Sequence, residues 1–249
     1  MAYGCVEIPD SRGIRVGFVS RHPLTLVADV ASFPDTLAEL QADDSGAVTT
    51  RMGRGALAVR IEPAAELSLT LVTCHFKSKL LTFPGGRFSP RDEGERARYA
   101  AYALYRRAAE AVTVRDLANQ LIDGRGQDHP IIVLGDLNDE PQAATTQILL
   151  GPPGSEFGTG GFNRPDQGDA WRLWNLAPLL PADQQYSRVY RGRGELIDHI
   201  LVNQTLLDRI EQVRSIEARP LPSIEGNPNQ RRNEPVSDHA LVLAKLSVD

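Results

Sequence analysis

The sequence predicts an α/β fold. Short apolar runs rich in β-branched residues occur in both halves of the 249-residue chain, and one long helix pattern lies between them. The composition, 41% hydrophobic and 24% charged, is that of an ordinary globular protein. At this length we expect a single domain over residues 1–249 with a sizeable core. Periodicity leaves two arrangements open, a doubly wound sheet and a sandwich of two packed sheets flanked by helices.

Charge and cysteine content narrow the classes of function. A formal net charge of −5 argues against wholesale coating of nucleic acid but leaves room for a local basic cleft. Cys5 and Cys74 supply neither a disulfide framework nor the spacing of a metal-binding cysteine cluster. Residues 1–10 lack the pattern of a signal peptide, and no segment approaches the length of a membrane span. We expect a monomer without a membrane span, and we favour a cytoplasmic location.

The first third of the chain is predicted to contain two pairs of strands. Residues 14–20 and 24–30 are short β-rich runs that predict a hairpin. Residues 35–54 mix Gly, Asp and Thr and predict a loop. Residues 56–61 and 67–74 predict two further strands, and the second of these delivers a histidine to one edge of the sheet.

A loop and the long helix come next. Residues 80–91 contain Pro, Gly and Arg and predict a loop, which is either a substrate-facing flap or a solvated segment. Residues 93–122 carry apolar side chains at helical spacing, and glycines at 124 and 126 end the pattern. We expect the arginines of this helix mostly on a solvated face, with Arg96 as the one nearest the flap.

The remaining elements alternate between strand and helix patterns. Trp171 and Trp174 lie in an apolar segment where core packing is favoured over stacking on bases. The predicted elements are a buried strand at 131–134, a short helix at 143–150, paired strands at 186–190 and 197–202 joined across 191–194, and a closing strand at 240–248.

The stretch Gly135-Asp136-Leu137-Asn138 follows the central buried strand. On extended backbone Asp136 and Asn138 point to the same side, so a carboxylate and an amide lie together at a strand end. Such a pair suits a hard metal ion and a phosphate. The alternative interpretation is a strand followed by an Asp-Asn turn, which is common in any globular protein.

Three other stretches favour a metal or phosphate site over a simple Asp-Asn turn. Val72-Thr73-Cys74-His75 places a histidine at a strand end, Leu196-Ile197-Asp198-His199 places an acid inside an apolar strand, and Ser237-Asp238-His239 leads into the last strand. Together with Gly135-Asp136-Leu137-Asn138, and in the same order, these stretches resemble the endonuclease/exonuclease/phosphatase superfamily over residues 11–249. The resemblance implies a four-layer sandwich of two mixed β-sheets flanked by helices. It also implies a magnesium-dependent phosphoesterase similar to pancreatic-type deoxyribonuclease and the abasic-site endonucleases.

The resemblance also implies roles for individual residues. The catalytic set that it implies is His75, Asp136, Asn138, Asp198 and His239, with Asp238 and Asp136 as ligands at the metal. Asp198 would hold His239, Asp136 would position or deprotonate the attacking water, Asn138 would orient the phosphate, and His75 would hold or protonate the leaving side. Carboxylates and an amide without a cysteine cluster favour Mg²⁺ or Mn²⁺ over zinc.

The sequence departs from the family pattern near its start. Members have a first strand ending in Asn and a second ending in a metal-binding Glu before the region of Arg12, and neither is visible here. Glu7 is the only early Glu in an apolar setting, and it lies too close to Arg12 to fill that place. We therefore expect a domain lacking its N-terminal strands.

The cations near the motifs predict the substrate class. A nuclease is the first choice, because Lys77, Lys79, Arg87, Arg96 and Arg193 fit an extended polyanion. A small-molecule, inositol-phosphate or lipid phosphoesterase is the second. A catalytically impaired chain that only binds phosphate esters or a partner is the third, and the missing Asn and Glu motifs favour it.

Overall fold

The structure is a computed structural model of the chain. The residues that it describes are 2–5, 9–10, 13–37, 39–159, 162, 164–217, 219–225 and 234–248. Glu7, considered above as a substitute metal ligand, lies outside these residues.

The described residues form two α-helices and a series of β-strands. The helices are α1 (Glu93–Ile122) and α2 (Ala144–Leu150). The strands are β1 (Ala2–Cys5), β2 (Gly17–Ser20), β3 (Thr25–Ser32), β4 (Leu40–Gln41), β5 (Val48–Thr49), β6 (Arg51–Ala64), β7 (Leu67–His75), β8 (Ile131–Asp136), β9 (Trp174–Asn175), β10 (Arg188–Tyr190), β11 (Arg193–Glu195), β12 (Asp198–Val202), β13 (Ile210–Ile216), β14 (Ser223–Ile224) and β15 (Leu241–Leu246).

A six-stranded sheet in the order β3-β6-β7-β8-β12-β9 forms the centre of the fold. The pair β7–β8 is parallel, and α1 lies in the connection between them. Smaller sheets are formed by β1 with β2, by β13 with β15, by β4 with β5, and by β10 with β11 and β14. The mixed α/β class predicted from the sequence is confirmed.

Alternation along the central strands divides the core into two sides. Val72, Val133 and Leu201 pack with residues of α1 such as Val114 and Leu117. On the opposite face, residues of β7, β8 and β12 pack against β13 and β15; these residues are Leu67, Leu69, Ile132, Val202, Val213, Val242 and Ala244. The central sheet therefore lies between a helix layer and a second layer of strands, as expected for a sandwich of packed sheets.

The bounds of α1 follow from its capping residues. The side chain of Asp92 accepts a hydrogen bond from the backbone of Glu95, and Asp123 ends the helix in a left-handed conformation. The helix predicted at 93–122 is confirmed, but its arginines are not all solvated. Arg107 is buried against Asp139, and Arg115 donates to the carbonyl of Leu149. No helix in the described part of the chain is both long enough and apolar enough to cross a membrane.

Three predictions of strand pairing or loop structure are wrong. The predicted hairpin at 14–30 does not form, because β2 pairs with β1 and β3 pairs with β6. The predicted loop at 35–54 contains the β4–β5 pair and the start of β6. Strand β10 pairs with β11 and not with β12, which joins β8 in the central sheet. For the two wrong pairings, the strand pattern indicated an extended segment but carried no information about its partner.

Candidate active site

Three of the predicted side chains occupy one row across the central sheet. Asp136, at the end of β8, is the register partner of His75 at the end of parallel β7. It is also the register partner of Asp198 at the start of antiparallel β12. Register partners project to the same face of a sheet, and the carboxyl ends of parallel strands are where α/β proteins collect functional groups. The three side chains therefore start from adjacent positions at one edge.

Gly135 allows the two parallel strands to approach at this edge. Its φ is 145°, and a Cβ at this position would lie 1.9 Å from the carbonyl oxygen of Cys74. A side chain is excluded here on both counts. The glycine before Asp136 is thus required by the close contact between β7 and β8.

Asp136 is contacted from two sides. His75 Nε2 lies 3.1 Å from Asp136 Oδ2, and the backbone N–H of Asn138 donates to Asp136 Oδ1 at 2.8 Å. Asn138 has a positive φ of 52°, which asparagine tolerates better than most residues. Its side-chain amide donates to the carbonyl of Phe76 at 3.0 Å. Since Asn138 is only 2% exposed, its contacts here hold Asp136 and the turn, and its predicted contact with a phosphate stays a prediction.

His239 reaches the same edge from the second layer of strands. Its Nδ1 donates to Asp198 Oδ2 at 2.7 Å, the pair that the resemblance implies. The buried residue Ser187 contacts the segments that carry Asp198 and His239, one through its side chain and one through its carbonyl. Ser187 Oγ accepts from the backbone N–H groups of Ile197 and Asp198, each at 3.1 Å. The carbonyl of Ser187 accepts from Ala240, the residue after His239, at 2.7 Å.

Asp136, Asp198 and His239 form a group close enough to share one metal ion. One ligand atom from each lies within 4.8 Å of the others, and all three side chains are half-buried. Asp238, predicted as a metal ligand, lies outside this group, although its charge acts on His239. Its place at a metal stays a prediction.

The electrostatics of the site favour the charged forms of Asp136 and His239. Burial alone would raise the pKa of Asp136, but the hydrogen bond and charge of His75 and the charge of His239 hold it below its usual range. Burial likewise opposes protonation of His239. The hydrogen bond to Asp198 and the charges of Asp198, Asp136 and Asp238 outweigh burial and raise the pKa of His239 above its ordinary value. Asp136 is therefore ionised and His239 is shifted toward imidazolium near neutral pH.

Most of the cations predicted to bind substrate have partners within the protein. Arg87 is paired with Glu95 at 2.7 Å, and Arg96 is paired with Glu93. Lys79 Nζ lies 3.2 Å from Asp139 Oδ1. Lys77 donates to backbone carbonyls. Only Arg193 of the five is exposed at a hairpin tip with no ion-pair partner among the described residues.

A buried polar group behind the site was missed by the sequence analysis. Asp139 accepts from Arg107 Nε at 2.9 Å and from Thr145 Oγ1 at 2.8 Å. The buried ring of His199 contacts the Asp139 carbonyl through Nε2 at 2.9 Å, and burial lowers its pKa, so it is a neutral structural residue. The only signal was the acidic run that continues to Asp139 after Asn138. Ser187 carried no sequence signal at all.

The chain belongs to the endonuclease/exonuclease/phosphatase family, whose model matches residues 2–239. This family contains hydrolases that act on phosphoester bonds, nucleases and phosphatases among them, and its enzymes usually use divalent metal ions. A comparison with curated proteins gave no match.

The solved structures that are similar to this chain have low sequence identity to it. An endonuclease/exonuclease/phosphatase from Bacteroides vulgatus has a TM-score of 0.51 and 12% identity; the alignment covers 100% of this chain and 76% of that one. The 3′-5′ exonuclease of Neisseria meningitidis has a TM-score of 0.46 and 19% identity, over 98% of this chain and 79% of that one. The human Nocturnin catalytic domain has a TM-score of 0.45 and 16% identity, over 87% of this chain. This chain spans 66% of the Nocturnin chain, slightly less than two thirds.

Proposed function

We propose that this protein is a metal-dependent phosphodiester hydrolase, with nucleic acid as its first substrate class. The observation that carries the proposal is the convergence of two acid–imidazole pairs, His75 with Asp136 and His239 with Asp198, at one edge of the central sheet. Hydrolysis of a phosphodiester needs an activated water, compensation of charge on the phosphoryl oxygens and help for the leaving oxygen. The two pairs supply groups for each of these tasks.

The protonation states suggest how the work is divided. His239 uses Nδ1 to contact Asp198, so its Nε2–H remains to donate to a phosphoryl oxygen. The charge of the imidazolium favours the extra negative charge of the transition state. Asp136, ionised and fixed by Asn138, accepts a hydrogen bond from the attacking water. His75, on the other side of Asp136, holds or protonates the leaving oxygen.

The donor set fits a hard divalent cation. Asp136 and Asp198 offer carboxylate oxygens within reach of one ion, and no cysteine is near enough in the described residues to favour zinc. Mg²⁺ keeps several waters when two carboxylates hold it, and Asp238 would contact such waters rather than the ion. When bound, the cation supplies neutralisation of charge on the phosphoryl oxygens. Because Nδ1 of His239 is occupied by Asp198, this ring acts as a hydrogen-bond donor in the proposal.

One observation favours a second candidate, a phosphoesterase for small molecules. An extended polyanion needs cations that are free to follow its backbone. Arg87 and Arg96 are instead paired with Glu95 and Glu93, so they cannot serve a phosphate without losing a carboxylate. The exposed Arg193 supports a nucleic acid substrate. Measurement of both substrate classes separates the candidates.

The experiment compares a single-stranded oligonucleotide, a duplex and bis(p-nitrophenyl) phosphate. Turnover is expected with Mg²⁺ or Mn²⁺ and is expected to vanish with a chelator. Asp136→Asn and His239→Ala are expected to lower kcat at least about a hundredfold, the scale of lost acid–base or electrostatic help. His22→Ala, in the loop between β2 and β3, is the matched histidine control. Full activity in chelator, or equal activity of His239→Ala and His22→Ala, would overturn the proposal.

A further inference from the structure

A small pocket lies on the helix side of the central sheet, beside the segment that follows His75. Its volume is about 90 Å³. The segment that follows His75 forms one wall, α1 forms the floor, and the β4–β5 pair forms the rim. The polar side chains that line it are Gln41, Thr49, Lys77, Tyr99, Tyr102 and Arg106. A cavity of this size holds several waters, or one phosphate-sized group.

Lys77 is the cation in this pocket that lacks a carboxylate partner. Its Nζ donates to the carbonyls of Ser78 at 2.9 Å and Leu80 at 2.7 Å. An ammonium has three donors, so one remains. No carboxylate of the described residues lies within ion-pair distance of Nζ. The ammonium is thus held in place by neutral acceptors and has no ion-pair partner among the described residues.

The charges around Lys77 are mostly positive. Arg54, Arg106 and Arg107 all act on Lys77 as like charges, and only Glu110 acts as an opposite charge. Burial, with these guanidinium groups, lowers the pKa of Lys77 to about 8. A nearby anion reverses this effect, since it favours the charged ammonium. The pocket therefore has the electrostatics of an anion site.

Two tyrosines add hydrogen-bonding groups to the same pocket. The Tyr99 hydroxyl is buried without a hydrogen-bond partner among the described residues. Buried polar groups are nearly always paired, so this hydroxyl is a hydrogen-bonding group still available to a ligand. The Tyr102 hydroxyl donates to Asp44 at 3.0 Å and accepts from Gln41 at 3.1 Å, which fixes the rim against α1.

We propose that this pocket binds a phosphate group other than the one that is cleaved. Lys77 supplies the charge and the Tyr99 hydroxyl supplies a neutral hydrogen bond, whereas Arg106 in the same wall is paired with Glu110 at 3.2 Å. Lys77 is two residues beyond His75, so the Cα atoms of these two residues lie at most about 7 Å apart. The phosphate is either a second phosphate of the substrate or free inorganic phosphate. The first source rests on the proposed function, whereas binding of inorganic phosphate does not.

The first test requires no catalysis. The chain has only three lysines, Lys77, Lys79 and Lys245, so an amine-reactive reagent and peptide mapping report each one separately. Near pH 8 we expect inorganic phosphate to slow labelling of Lys77 at least about fivefold and to leave exposed Lys245 unchanged. Equal labelling of Lys77 with and without phosphate would overturn the proposal, whether or not the protein hydrolyses anything.

The second test identifies the source of the phosphate. We compare a dinucleotide carrying a terminal phosphate with the same dinucleotide lacking it. If the pocket holds a substrate phosphate, the ratio of their kcat/KM values falls about tenfold in Lys77→Met, the loss of one charge-assisted contact. The ratio is unchanged in Lys245→Met, the matched control. If Lys77 is protected by phosphate but the ratio does not change, the ligand is free phosphate. If no dinucleotide is hydrolysed, the proposed function fails and the labelling result still decides the pocket.

Discussion

Substitution of Ser187 by alanine tests whether this buried serine positions the Asp198–His239 pair. The hydroxyl accepts the backbone N–H groups of Ile197 and Asp198, and the carbonyl accepts that of Ala240. Alanine keeps the carbonyl contact but leaves two N–H groups without an acceptor. The N–H of Ile197 is fully buried and that of Asp198 is partly buried, so we expect a loss of about 3 kcal/mol in the free energy of unfolding. For a domain of this size that corresponds to a drop in Tm of roughly 6–12 °C.

Ser155→Ala is the matched control for this experiment. Ser155 is also buried, and its hydroxyl donates to the carbonyl of Arg164 at 2.8 Å, away from the site. Both variants are expected to lose stability. Only Ser187→Ala is expected to lower kcat, by roughly tenfold to a hundredfold, because small displacements of catalytic groups are costly. In an NMR titration, Ser187→Ala should also move the pKa of His239 back toward its ordinary value. If the two variants match in kcat and in the His239 titration, Ser187 has only a structural role.

Four further predictions concern charge, packing and substrate. Asp198→Asn should lower the pKa of His239. In the proposed mechanism protonated His239 is the active form, and this form is lost as pH rises through its pKa, so the alkaline limb of the kcat profile should move to lower pH; an unchanged limb would contradict this assignment. The raised pKa of His239 also makes stability depend on pH. The stabilisation from the Asp198–His239 pair is present below the ordinary histidine pKa and is lost as pH rises through the raised pKa of the folded state. Denaturant titrations at several pH values would measure this loss. Gly135→Ala should destabilise the protein by at least about 3 kcal/mol, because its Cβ would meet the Cys74 carbonyl, whereas Gly46→Ala, with open space around it, should cost only about 1 kcal/mol. If the substrate is nucleic acid, Arg193→Ala should reduce the salt dependence of binding and Arg96→Ala should not, a difference that salt titrations at fixed substrate would show.

The sequence predicts the elements well where local signals agree. The long helix has an N-cap at Asp92 and a left-handed residue at Asp123, so its bounds are encoded locally. Strand β8 was predicted because both of its faces are buried, one against α1 and one against β13 and β15, which produces a continuous apolar run. The sequence does not predict which strands pair. The neighbours of β2 and β12 depend on contacts between distant parts of the chain, and alternation of residue types carries no information about them.

The candidate site likewise contains residues that the sequence predicts and residues that it does not. His75, Asp136, Asp198 and His239 were predicted because the stretches that carry them resemble, in the same order, the endonuclease/exonuclease/phosphatase superfamily. The predicted cations were less informative, because a positive charge near a motif does not reveal its own partner. Spacing held a clue in one case: Glu93 and Arg96 are three residues apart on one helix, where opposite charges pair. No such clue existed for Ser187, whose partners lie ten residues and more away.

The geometry of the site depends on strand register more than on any one contact. His75, Asp136 and Asp198 meet because they occupy one register row, and side chains alternate between the two faces of a sheet. A slip of β12 by one residue would turn Asp198 toward α1 and bring His199 to the site. Two features oppose such a slip. Gly135 fixes how closely β8 approaches β7, and Ser187 accepts the N–H groups of Ile197, just before β12, and of Asp198, its first residue. The residues that set the register thus determine the chemistry of the site, although neither contributes a side chain to it.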